Sequence, residues 1–231
     1  MNDNTSQFYD GIWSRGLARG KKDFGDTKNS LLFLESQGVL QPEHAILDVG
    51  CGIGNLCGAL RERGFRNIQG VDISSVAIEA ARKKYPGITF RVSEAGALPV
   101  AENSMDACIS FDVAEHVRDI NGYFSETYRV LKNGGVFFFQ TPNRWINRIA
   151  ETVRWQGFGW RAHHPSLQSR RSLLKNLNRA GFSTVTLIRH TPVSEFTLNR
   201  IPRWLRPLVK MIPWTKIPWL FQPHFWGAAI K

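Results

Sequence analysis

From residue 45 to the end of the chain, short apolar runs alternate with segments of helical period, and few architectures accept that alternation. Strand, helix, strand in succession packs as a parallel sheet with helices on its faces. Ala45-Ile46-Leu47-Asp48-Val49 reads as the first strand and ends in glycines, and Asn55 to Arg63 follows as a helix closed by Gly64. Residues 68–71 form the second strand. Ser74 caps an alanine-rich helix that Pro86-Gly87 stops after Tyr85, and residues 88–92 form the third strand. The fourth covers residues 105–111. The next helix places Ile120, Phe124, Thr127, Tyr128 and Leu131 on one face and is expected to end at Asn133-Gly134-Gly135, where glycine takes the left-handed C-cap. Val136-Phe137-Phe138-Phe139 is apolar throughout, as a central parallel strand buried on both faces requires. Leu173, Leu174, Leu177 and Ala180 mark a helix ended by Gly181, with residues 182–189 as a sixth strand and 224–230 as a seventh.

At 231 residues, 42% apolar and 21% charged, the chain can bury a core and is far from the composition of disordered chains. It reads as one domain over 1–231: an N-terminal helical segment (1–44), a core (45–190), a basic, Pro/Trp-rich insertion or cap (191–223) and a last strand (224–231). Cys51, Cys57 and Cys108 are odd in number without C-x-x-C spacing, which gives no zinc or redox signature and points to a reducing compartment. Met1 is followed by polar residues rather than an apolar leader, and no run of about 18 apolar residues occurs. The expected location is the cytoplasm. The net charge of +11 is unevenly placed: residues 144–231 hold 15 Lys+Arg against 2 Asp+Glu, a net +13. An anionic partner is expected for that third, whether phospholipid headgroups, nucleic acid or a phosphorylated substrate.

In an open α/β sheet the ligand lies at the carboxyl ends of the strands. The first strand-to-helix turn is Asp48-Val49-Gly50-Cys51-Gly52-Ile53-Gly54-Asn55, whose glycines permit positive φ and close approach to the backbone. A G-x-G-x-x-G dinucleotide fingerprint is absent, since Asn55 or Cys57 stands where the third glycine belongs. Asp72 ends the second strand, where a carboxylate can accept both hydrogen bonds of a ribose diol. Asp48, the G-x-G-x-G turn and Asp72 describe an adenosine site without a pyrophosphate site. The bland reading is a tight turn and a carboxylate that only caps the next helix.

Ile46-Leu47-Asp48-Val49-Gly50-Cys51-Gly52-Ile53-Gly54, Val71-Asp72-Ile73-Ser74, Ala97-Leu98-Pro99 and Arg129-Val130-Leu131-Lys132-Asn133-Gly134-Gly135 resemble, in order and spacing, the class I S-adenosylmethionine-dependent methyltransferases. The resemblance covers about residues 28–190 and extends in motif to the small-molecule members that include ubiquinone-biosynthesis O-methyltransferases. It implies a Rossmann-like α/β fold: a seven-stranded sheet, mostly parallel with a reversed last strand, and helices on both faces. It also implies S-adenosyl-L-methionine as methyl donor, with Asp48, Gly50, Cys51 and Gly52 at its methionine end, Asp72 on the ribose hydroxyls and Ile73 against the adenine. Ser93-Glu94-Ala95 stands where the family has Gly-Asp-Ala, so Glu94 and Ala95 are expected at the adenine, Glu94 being one methylene longer than the family's acid. Phe111 is expected at the methyl-transfer mouth.

Methyl transfer is an in-line displacement at a sulfonium, so a base is needed only where the acceptor loses a proton. His116, in Asp112-Val113-Ala114-Glu115-His116, is the candidate base or acceptor-orienting group. If that stretch is helical, Asp112, Glu115 and His116 share a face. Its D-x-x-E-H spacing is similar to the E-x-x-E-H of ubiquinone-biosynthesis O-methyltransferases, where the resemblance would imply a divalent metal beside the acceptor. Asp112 departs from that Glu, and Glu-His after strand four is widespread in the superfamily. His163-His164 follows residues 143–160, an expected acceptor-facing insertion where Arg144, Trp145, Arg148, Arg154, Trp155, Phe158 and Trp160 interleave cations and aromatics. The pair is read either as supplying a group near the acceptor or as exposed neighbours of the next helix cap beside Pro165.

Ile201, Trp204, Leu205, Leu208, Val209 and Ile212 recur at helical spacing, with Arg200, Arg203, Arg206 and Lys210 on other faces and no acid after Glu195. The spacing predicts a basic amphipathic helix opened by Pro202 and stopped by Pro213. Residues 200–221 suit an anionic membrane surface, a lid over an amphiphilic substrate, or a packed cap or subunit contact. The leading expectation is methyl transfer to oxygen of a small, amphiphilic or lipid-like acceptor, peripheral on the inner face of a membrane. The alternatives are a nucleic-acid methyltransferase that uses the basic third for phosphate contacts, and a non-catalytic S-adenosylmethionine-binding scaffold. Against the former, the chain has no Asn/Asp-Pro-Pro-Tyr/Phe stretch after strand four and no Pro-Cys nucleophile. The sequence sets no oligomeric state.

Overall fold

The computed structural model describes residues 3–21, 25–154, 156–157, 161, 163–191, 198–199 and 202–231. Helices α1 (Asp3–Ala18) and α2 (Thr27–Gln37) precede the alternating part. That part begins β1 (Ala45–Val49), α3 (Asn55–Glu62), β2 (Asn67–Asp72), α4 (Ser75–Lys84), β3 (Thr89–Val92), β4 (Met105–Phe111), α5 (Ile120–Val130) and β5 (Leu131–Pro142). It continues through α6 (Arg144–Arg154), α7 (Arg170–Ala180), β6 (Thr184–Ile188), α8 (Arg206–Met211) and β7 (His224–Ile230). The strands make one sheet in the order β3-β2-β1-β4-β5-β7-β6. β1 to β5 pair in parallel, and β7 runs antiparallel to both β5 and β6. This is the expected α/β sheet with its reversed last strand.

Alternate side chains of a strand face opposite ways, and β5 shows what that demands of a central strand. Phe137 and Phe139 join a buried cluster with Phe124 of α5 and Leu173 and Leu177 of α7. Phe138 joins the other face with Phe33 of α2, Leu60 of α3 and Ile78 of α4. Local chemistry sets the helix ends: Ser74 accepts from the Ala77 N–H at the start of α4, and Gly181 closes α7 at φ 111°.

Two expectations need correction. The fifth helix stops at Val130 rather than at Asn133-Gly134-Gly135, because Leu131 is extended and fully buried and already pairs with Met105 of β4. Gly134 is left-handed at φ 78°, but within β5. The amphipathic helix is also shorter than its spacing predicts. Residues 203–205 form a 3-10 turn and α8 starts at Arg206, because Pro207 lacks an N–H and fits the first turn of a helix, where none is needed. Two further 3-10 turns, Trp214–Lys216 and Trp219–Phe221, follow the Pro-Trp steps. Arg200 and Ile201 of that expectation lie outside the described residues, as do Trp155, Phe158 and Trp160 of the insertion.

Candidate active site

The strand order reverses between β1 and β4, and the functional residues gather at the carboxyl ends of β1, β2 and β4, where an α/β sheet leaves a crevice. The first turn is tied to β2 through the N–H groups of Gly50 and Cys51, which both donate to the Val71 carbonyl at 2.8 and 3.0 Å. Gly50 has φ 81°, and a Cβ there would lie 2.2 Å from Cγ2 of Val113. Gly52 has φ 52°, and a Cβ there would lie 2.6 Å from the Trp13 ring. Only glycine meets both conditions.

Asp72 holds this turn against the next one. Its Oδ2 accepts from the Gly52 N–H and its Oδ1 from the Ser74 N–H, both at 2.9 Å. Burial raises its pKa above the ordinary carboxylate value, opposed by those two N–H donors. Asp48 lies deeper, only 4% exposed, and accepts from the Cys57 thiol at 3.3 Å. Burial pushes its pKa up to about 7, against the Cys57 hydrogen bond and with the help of the Asp72 charge. Unfolded, Asp48 ionises near 3.8, so the folded chain binds its proton more tightly and loses stability as pH rises from there to about 7. The loss levels off above that at about 4 kcal/mol, at 1.36 kcal/mol per unit. Asp48→Asn is therefore expected to raise the Tm of the ligand-free protein by several degrees at pH 8 and to leave it nearly unchanged at pH 4, as read by thermal melts in the two buffers.

Helix α1, read from the sequence only as part of a helical segment, covers this crevice. Ser6 Oγ donates to the Ile73 carbonyl at 3.1 Å. Asp10 accepts from the Ser75 hydroxyl at 3.1 Å and the Val76 N–H at 3.2 Å, and also from the Ser74 hydroxyl, so it caps α4 from outside. Phe8 stacks on His163 with ring centroids 4.3 Å apart, and Tyr9 sits edge-on to His116 at 5.8 Å. The signal available in the sequence was the stripe Phe8, Tyr9, Ile12, Trp13, at i, i+1, i+4, i+5.

Two adjoining compartments result. The larger, about 520 Å3, is lined by Tyr9, Trp13, Asp72, Ile73, Glu94, Ala95 and His116. The smaller, about 180 Å3, is lined by Asp48, Cys51, Gly52, Phe111 and Asp112. Gly50, Trp13 and Asp112 border both. The nine residues expected at the donor and His116 thus fall around one divided crevice, whereas Glu115, His163 and His164 line neither compartment. The Cys51 thiol, however, packs into the core, where a Cβ on Gly70 would meet it at 2.8 Å. Phe111 also leans on Phe33 and Trp226.

The Asp112-to-His116 stretch is not a helical face. Asp112 is left-handed at φ 56°, its N–H donating to the Gln140 carbonyl and side chain, and only Ala114–His116 makes a 3-10 turn. Glu115 turns inward, 2% exposed, and its Oε2 accepts from Thr141 Oγ1 at 3.1 Å. Burial, with the nearby Asp112 charge, keeps its carboxyl pKa well above the usual value. The single face that a helix would give Asp112, Glu115 and His116 is therefore not formed. Glu115 Oε1 lies 3.9 Å from His116 Nε2, but no group of three or more His, Cys, Asp or Glu among the described residues could hold a metal ion.

His116 faces a different partner. Its Nδ1 lies 2.7 Å from the His163 carbonyl, and a carbonyl only accepts, so Nδ1 carries the proton and Nε2 keeps its lone pair. Burial holds its pKa below 6.5, which keeps the ring neutral at pH 7. The His164 ring lies 4.8 Å from that of His116, and its Nδ1 meets Asn147 Oδ1 of α6 at 3.2 Å.

Residues 47–139 match the family profile described as a methyltransferase domain. A Mycolicibacterium smegmatis protein named as a probable S-adenosylmethionine-dependent methyltransferase is 34% identical over 99 residues, 43% of this chain and 38% of that one. The ubiquinone biosynthesis O-methyltransferase of Brucella anthropi is 35% identical over 103 residues, 43% of this chain and 41% of that one. The matched part thus spans about two-fifths of the length of these curated relatives. Among solved structures, a chain from the complex of the Haloferax volcanii Trm112 methyltransferase activator with a methyltransferase superposes with a TM-score of 0.70 at 18% identity, covering 96% of both chains. Residues 47–139 thus match the methyltransferase-domain family and resemble in sequence proteins named as S-adenosylmethionine-dependent methyltransferases, and the chain shares the fold of solved methyltransferase structures.

Proposed function

We propose that this chain transfers the methyl group of S-adenosylmethionine to an oxygen of a small, amphiphilic acceptor. The observation that carries the reading is His116 on the wall of the cavity that also holds Asp72, with Nδ1 turned to the His163 carbonyl at 2.7 Å so that the neutral ring keeps its lone pair on Nε2. The residues suit the donor. Each Asp72 oxygen accepts one backbone N–H and has a lone pair left for a ribose hydroxyl. Ile73 and Ala95 offer apolar walls to an adenine, and Glu94 borders the same space. In the smaller compartment, beside Gly50, Cys51, Gly52 and Phe111, an ammonium would offset the buried charge of Asp48.

S-adenosylmethionine supplies an electrophilic methyl on a sulfonium. His116 Nε2 takes the hydroxyl proton as the acceptor oxygen bonds to that methyl and the sulfur leaves with its electron pair. Tyr9, whose phenol burial keeps protonated, and Trp13 wall the reacting space against water. The likeness to an O-methyltransferase of ubiquinone biosynthesis supports oxygen as the acceptor atom and an amphiphile as its carrier.

The test is transfer of labelled methyl from S-adenosylmethionine into a cell extract split into lipid, small polar, glycan and nucleic-acid pools. Label in the lipid pool, on oxygen, is the expected result. Label in nucleic acid, or no label in any pool from protein that binds the donor, overturns it.

A further inference from the structure

Among the described residues, seven of the ten exposed large apolar side chains fall in two stretches, residues 145–149 of α6 and residues 204–221. Trp204, Leu208 and Met211, at i, i+4 and i+7, are 73%, 58% and 78% exposed. Leu205 and Val209, on the other side of that turn, are half-buried.

The two stretches are tied together through Asn143. Asn143, fully buried just before α6, points its side-chain N–H groups at the carbonyls of Trp219, Leu220 and Gln222, at 3.2, 3.1 and 2.9 Å. Its Oδ1 accepts from the N–H of Trp145, which is 51% exposed, so the first turn of α6 is tied to the backbone of the turn that carries exposed Leu220 and Phe221. Residues 202–221 hold Arg203, Arg206, Lys210 and Lys216 and no acid, while Glu151 of α6 is buried. Through Asn147 and His164 the same helix reaches His116.

We propose that this surface docks on an anionic lipid bilayer, with the apolar side chains entering the interface and the cations meeting headgroup phosphates. Exposed aliphatic tips beside cations match hydrocarbon below a negative surface. Nucleic acid offers the charge without the hydrocarbon. The inference deepens the reading above by naming where an amphiphilic acceptor is met, but docking itself requires no methyl transfer.

The full chain is expected to co-sediment with phosphatidylglycerol vesicles and not with phosphatidylcholine vesicles. Replacing Arg203, Arg206, Lys210 and Lys216 with glutamine lowers the partition coefficient about fivefold per cation near the surface. The pair Trp204→Ser and Met211→Ser, which removes no charge, lowers it at least about tenfold. Donor affinity, measured separately by calorimetry, stays unchanged in every variant, so failure of docking and failure of the methyltransferase reading are distinguishable. No preference for phosphatidylglycerol, or equal binding by the serine pair, overturns the proposal. So does a dimer by ultracentrifugation that the serine pair dissociates, which makes the surface a subunit interface, or RNA binding that survives the serine pair.

Discussion

Asp72→Ala is expected to weaken S-adenosylmethionine binding about a hundredfold, read as a calorimetric Kd. Two hydrogen bonds from a ribose diol to an ionised acceptor contribute roughly 1.5 kcal/mol or more each, and each 1.4 kcal/mol is a factor of ten. Alanine also orphans the N–H groups of Gly52 and Ser74, so the melting temperature falls as well. Asp72→Asn keeps the size and one acceptor oxygen, so it holds the turn better and should weaken binding about tenfold. Two folded variants with unchanged affinity would remove the ribose contact, whatever the stability of the alanine form.

The second large effect belongs to His116. His116→Ala is expected to lower kcat by about 10²–10⁴ while donor affinity stays within about twofold, because the imidazole acts on the acceptor's proton and not on the donor's adenosine. The active form is neutral, and burial holds the pKa below 6.5, so wild-type kcat falls on the acid side only below that value. In the variant that acid limb disappears. Alanine that leaves kcat within about threefold and keeps the acid limb would show that another group, or none, takes the proton. His116→Gln, which keeps a polar contact but no titrating ring, separates a base from an orienting group by rescuing KM without rescuing kcat.

The strands of the core and the first turn were legible because their causes are local. Alternation of period marks β1 to β5, and a run such as Val136-Phe137-Phe138-Phe139 suits no place but the middle of a sheet. Gly50, Gly52 and Asp72 sit at strand ends, which any correct strand assignment delivers to the crevice together. The D-x-x-E-H stretch would present one face only as a helix, and its spacing alone does not say whether it is one. Gln140 of β5 draws the Asp112 backbone into a left-handed turn, and Thr141 draws Glu115 inward. Both partners lie in another strand.

The sequence by itself determined the order of strands and helices, the glycine turn at Gly50 and Gly52 and the carboxylate at the end of β2. It also determined a basic, aromatic-rich final third. Periodicity, cap chemistry and charge act over a few residues and need no knowledge of the rest of the chain. Only the tertiary structure decided that α1 covers the crevice through Asp10 and Ser74, 64 residues apart. It alone set the His116 tautomer through His163, 47 residues on, and joined α6 to the final 3-10 turn through Asn143 and Gln222, 79 apart. Each of these depends on a buried or half-buried hydrogen bond between distant segments, and such a bond is specified by the packing of the whole sheet rather than by the residues beside it.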